Sequence, residues 1–144
     1  MDKSSANALM AYESLDEAFP DIDPGVEPFG PRLLVQVRSP KKKTKGGIAL
    51  LDETRDTELW NTQVAKVIAV GPVAFKNRDT LAEWPEGAWC KVGDFIRVPK
   101  YGGDRWQVTR VVKNQEVTAM FAVVRDLDVT GRIPGDPLDI VAFI

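Results

Sequence analysis

The chain has 144 residues, 44% hydrophobic and 28% charged, with a net charge of −2. Such a chain supports one domain with a real core, and its charge gives no global pull towards nucleic acid or an anionic membrane. With no histidine and one cysteine, Cys90, these residues exclude a Cys/His zinc site, Ser-His-Asp or Cys-His catalysis and an internal disulfide.

No apolar run approaches the roughly 18 residues of a membrane span. The first residues lack the basic start and apolar segment of a signal peptide. A cytoplasmic location is expected. Residues 1–27 hold seven acids and one base, whereas the remainder holds 18 bases and 14 acids. Leu9, Tyr12, Leu15 and Phe19 fall near helical spacing, with Ser4 or Ser5 as cap and Pro20 as stop. The expectation is an acidic N-terminal extension, partly disordered, with one short helix. A docking arm is the alternative. Pro24, Gly25, Pro28, Gly30 and Pro31 then read as linker.

From Arg32 the pattern turns to short strands. These are RLLVQV (32–37), QVAKVIAVG (63–71, with only partial alternation), DFIRVPK (94–100) and WQVTRVV (106–112). A turn at KNQ leads back into EVTAMFAVV (116–124), and IVAFI (140–144) is read as a final strand. Short strands with Gly/Pro turns predict an all-β small barrel or sandwich.

Two connections exceed what a turn needs, 39–62 and 72–91, and 127–137 reads as an insertion before the last strand. The first connection carries KKKTKGGIALLDE. The basic run Lys41–Lys45 reads as a solvated loop, with phosphate contact as the alternative. Gly46 and Gly47 supply backbone freedom without a phosphate-loop pattern. Ile48 and Leu50, two apart, project to one side of an extended chain. They either tuck under the barrel edge or form a short motif that orders on a partner. The second connection carries Trp84 and Trp89, expected to close a barrel end or meet a partner. Cys90 reads as a small apolar residue. Asp126, Asp128, Asp136 and Asp139 lack the spacing of a calcium loop.

These motifs, in this order, resemble the GroES co-chaperonin family. PFGPRLLVQV is similar to its opening strand, KTKGGIALLDE to its mobile loop and VAKVIAVGP to the strand ending in an AVG turn. CKVGDFIRVPKYGGDRW is similar to its VKVGD strand and Tyr-Gly region, and EVTAMFAVVRDLD with DIVAFI to its last hairpin and closing strand. Pro31 stands where the family usually has an acid. Residues 1–27 lack a counterpart, the roof-type loop 72–91 is longer, and 127–137 splits the ending. The departures suit a divergent member, such as a bacteriophage-encoded one acting in the host cytoplasm.

The resemblance implies a GroES-like β-barrel over 28–144 and a homo-heptameric lid on a GroEL-type chaperonin that folds an enclosed client protein. It implies chaperonin binding by Gly46, Gly47, Ile48, Ala49 and Leu50. It also implies a subunit interface of Arg32, Leu33, Leu34 and Val35 with Ile140, Val141, Ala142, Phe143 and Ile144, and Trp84 and Trp89 at the roof or cavity. No catalytic residue, metal or cofactor is implied, because ATP is bound by the partner chaperonin. Nucleic acid and membrane are not expected partners. The competing reading is a small β-barrel nucleic-acid-binding module using Lys41–Lys45 and the loop tryptophans.

Overall fold

A computed structural model describes residues 10–11, 14–39, 43–44 and 62–140. Eight strands are found there: β1 (Met10–Ala11), β2 (Arg32–Val37), β3 (Lys43–Thr44), β4 (Val64–Val70), β5 (Phe95–Arg97), β6 (Asp104–Val112), β7 (Gln115–Arg125) and β8 (Gly131–Ile133). Helix α1 (Leu15–Ala18) is a single turn. Six strands form one antiparallel sheet in the order β6-β7-β2-β4-β5-β8, and β1 pairs with β3. The all-β expectation holds.

Strand alternation decides which side chains meet. On β2, Leu33, Val35 and Val37 enter the main core with Ala65, Val67, Ile96, Met120, Ala122 and Val124. Leu34 turns to the opposite face with Val108, Ala119 and Phe121. β7 alternates between these clusters and is apolar on both, which is why AMFAVV reads as a continuous run. The imperfect alternation of β4 has a physical cause. Leu34 pairs with Ala69 but Val35 with Val67, so Ile68 is an extra residue in a bulge. Beyond it, Val67 and Ala65 regain the inward face.

The sheet rolls on itself. Flat, it would set β6 and β4 about 14 Å apart. Yet Arg105, near the start of β6, donates from Nη2 to the Thr62 carbonyl at 3.1 Å, just before β4. At the other end of β6 the hairpin turns at Lys113 and Asn114, both with positive φ, which matches the strand twist.

A close approach fixes the exit of β4. The Gly71 amide donates to the Arg32 carbonyl at 2.8 Å. A Cβ there would collide with the Gly30 carbonyl and lie 2.6 Å from that of Arg32. Gly71→Ala is expected to cost about 1–3 kcal/mol, since backbone oxygens cannot rotate away. Urea unfolding measures it, and an unchanged midpoint would refute the crowding.

The extent of the N-terminal helix is corrected, and two other regions gain detail. The described helix is Leu15–Ala18, capped by Ser14 rather than Ser4 or Ser5. The Ser14 Oγ accepts from the Glu17 amide, and Met10–Ala11 is strand. The 127–137 insertion carries β8, which adds a sixth strand beside β5. Ile140 follows a 3₁₀ turn, Pro137–Asp139, and is not in a strand. The rest of IVAFI, 141–144, lies outside the described residues.

The N-terminal segment is not a loose tail over its described part. Ala18 and Phe19 are buried with Val64 and Ile133, and Phe19 meets the Phe95 ring at 5.1 Å between centroids. Ile22 packs on the outer cluster. Gln36 Nε2 donates to the Pro20 carbonyl at 2.7 Å, and Trp106 Nε1 to that of Pro24 at 3.1 Å. The segment seals an apolar sheet face that would otherwise meet water.

Candidate functional site

The long connection between β2 and β4 joins neighbouring antiparallel strands. The Arg38 amide donates to the Val64 carbonyl at 2.9 Å, so the connection leaves and returns at one place. A hairpin needs only about 2–5 residues to make that turn. The intervening chain is therefore not needed to connect the strands.

Two arginines hold its stems. Arg38 is 3% exposed, and its Nη1 donates to the carbonyls of Pro137 and Ile140, both at 2.9 Å. Arg105 Nε donates to the Gly102 carbonyl at 2.9 Å, and its Nη2 to Pro99 as well as Thr62. Burial lowers the Arg105 pKa from its ordinary value. Carbonyl acceptors in both cases help offset the desolvation of a guanidinium. Neither arginine was singled out in the sequence. An arginine in an apolar strand context carries no local sign that distant carbonyls will surround it.

Gly46, Gly47, Ile48, Ala49 and Leu50 lie outside the described residues. Of the interface set, Leu33, Leu34 and Val35 are fully buried within the chain. β2 is hydrogen-bonded to β4 on one edge and β7 on the other. Within the chain, neither backbone edge of β2 is left free. Only Arg32 of that group is exposed. Ile140 is half-buried, packs with the Phe19 cluster and gives its carbonyl to Arg38.

The 72–91 connection folds back on the core. Phe75 is 2% exposed. Trp84 stands edge-on to it at 5.5 Å, Trp89 lies at 6.1 Å, and the tryptophans are 4.8 Å apart. The Phe75 amide donates to Asp126 Oδ2 at 2.9 Å, and the Leu127 amide to Oδ1 at 2.8 Å. The tip, Asn77–Ala82, is closed by the Asn77 amide on the Ala82 carbonyl and by Asn77 Oδ1 accepting from Asp79 and Thr80. Trp84 and Trp89 thus pack as a plug on the main core. The burial of Phe75 and Asp126 was not foreseen.

Cys90 is buried in the same cluster. Burial, and then the nearby Asp94 carboxylate, push its thiol up to about 11, which suits an inert packing residue. Asp128 pairs with Arg125 at 3.0 Å, and Asp136 Oδ1 accepts from the Leu138 amide. Among the described residues no group of three or more metal-ligating side chains comes together. No described helix is long and apolar enough to cross a membrane.

Comparison with known proteins adds to this geometry. The sequence model of the family described as Chaperonin 10 Kd subunit matches residues 25–124. That span runs from the end of the N-terminal segment to Val124 in β7 and includes the whole 39–62 connection. A protein named Co-chaperonin GroES, from Tetragenococcus halophilus, is 35% identical over 78 residues, covering 54% of this chain and 74% of the relative. A rolled antiparallel sheet, with a dispensable long connection between two neighbouring strands, thus coincides with a family match over most of its length. The chain belongs to the Chaperonin 10 Kd subunit family, the GroES co-chaperonins.

Proposed function

We propose that this chain assembles into a heptameric lid on a GroEL-type chaperonin ring and assists ATP-dependent folding of an enclosed client. The observation that carries this reading is the family match spanning GGIAL, on a connection that the two strands it joins do not require. Ile48 and Leu50, with Ala49 between them, dock in an apolar groove of the chaperonin. Gly46 and Gly47 let the backbone adapt to it. Residues 28–144 are the co-chaperonin domain, and 1–27 are an added arm. Loop 72–91 stands in for the roof, built on the Phe75, Trp84 and Trp89 plug. Subunits meet through the exposed side of Arg32 and the Ile140–Ile144 segment. ATP acts on the chaperonin, and this chain carries no catalytic residue and no cofactor.

Weak single contacts suit a lid that has to leave. Burying one Ile or Leu stabilises by about 1.5–3 kcal/mol, whereas ordering costs about 1–2 kcal/mol per residue. Several loops on one ring bind together through effective concentration, so small changes at each groove are multiplied. Capture on a purified chaperonin double ring is expected with ATP and not without it, and native mass spectrometry is expected to show a heptamer. A monomer at micromolar concentration that never co-elutes with the double ring would overturn the proposal.

A further inference from the structure

The N-terminal segment and the start of the 39–62 connection run side by side. Gln36 Nε2 donates to the Pro20 carbonyl at 2.7 Å. The Ser39 amide donates to the Ala18 carbonyl at 2.8 Å. Further along, Ala11 pairs with Lys43 and Met10 with Thr44, antiparallel. The paired points, 36 with 20, 39 with 18, 43 with 11 and 44 with 10, follow opposite directions along the two segments. The track is anchored by Ala18 and Phe19, buried among Val64, Ile133 and Phe95. It ends at Thr44, two residues short of Gly46.

Charge follows the same line. In sequence, the N-terminal segment carries Asp16 and Glu17, and β3 carries Lys43. Residues 1–27 hold seven acids to one base, and Lys41, Lys42, Lys43 and Lys45 are the densest basic run of the chain. Opposite charge on the two segments favours their pairing, more so at low ionic strength. The two composition anomalies of the sequence, the acidic start and the lysine run, thus fall on the two segments that pair.

We propose that residues 10–22 are a strand clamp on the root of the 39–62 connection, presetting its first residues for docking. The proposal rests on the reading of that connection as the chaperonin-binding loop. The clamp orders Lys43 and Thr44 before the partner arrives. Each residue left to order on docking weakens binding about five- to thirty-fold, so a pre-ordered root raises the affinity of every loop on the ring. It also ties the N-terminal arm to the family's function.

The test uses the full chain with Met10→Pro and Ala11→Pro together. Proline removes the amide donor and disfavours the pairing, while the Ala18–Phe19 anchor is untouched. Deletion of residues 1–13 is the second variant. Hydrogen exchange of the peptide containing Lys43 and Thr44 is expected to quicken about tenfold in both, with β2 and β4 unchanged. Affinity for the ATP-loaded double ring is expected to fall about tenfold or more. Unchanged exchange at Lys43–Thr44 overturns the clamp. Quickened exchange with unchanged affinity overturns its role in docking. If the unaltered chain fails to bind the double ring, the co-chaperonin docking reading fails with that role, and exchange alone decides whether the clamp exists.

Discussion

Ile48→Ser combined with Leu50→Ser is expected to abolish ATP-dependent capture on the chaperonin while the barrel stays folded. The pair brings about 3–6 kcal/mol of apolar burial to each docked loop, against an ordering cost of about 1–2 kcal/mol for every residue fixed. A single loop therefore sits near balance, and serine at both positions removes most of its favourable term. On the proposed ring the loss would recur at every loop, so avidity would fall far more steeply than single-site affinity. Circular dichroism and the thermal midpoint, expected to match the parent chain, separate lost docking from lost fold. Co-elution of the double variant at the parent level would remove the loop from the mechanism.

The strands were legible because the signals for them are local. RLLVQV was read as a strand over the same residues that form β2, and the WQVTRVV–EVTAMFAVV hairpin was read around the turn that forms. Even the faltering alternation in QVAKVIAVG had meaning, since it marks the bulge at Ile68. What stayed hidden depends on distant partners. GRI becomes β8 only because β5 offers an edge to it. Ala18 and Phe19 are buried because the rolled sheet leaves Val64 and Phe95 to cover. The helical spacing of Leu9, Tyr12, Leu15 and Phe19 overran into residues that pair as strand, because β3 supplies a competing partner for Met10 and Ala11. Arg38 shows the same limit. Its place is set by carbonyls of Pro137 and Ile140, about a hundred residues on.

Phe75→Ala is expected to be the most damaging single truncation in the 72–91 connection. The ring is 2% exposed and touches both Trp84 and Trp89. Removing it costs about 3–5 kcal/mol in lost burial and residual cavity. For a chain of this size the thermal midpoint should fall by about 10 °C, compared at one protein concentration because assembly feeds into apparent stability. The backbone adds a second, sharper expectation. Phe75 has φ +61, a left-handed conformation that costs a residue with a Cβ about 1–2 kcal/mol. It is held by the Asp126 carboxylate on its amide and by the tryptophans on its ring. Alanine keeps the strain and loses the ring. Glycine loses the ring and the strain together. Phe75→Gly should therefore be no less stable than Phe75→Ala, the reverse of the order found in ordinary extended backbone. If glycine proves clearly the worse of the two, the left-handed turn at Phe75 is wrong, and with it the account of how the plug is aimed into the barrel.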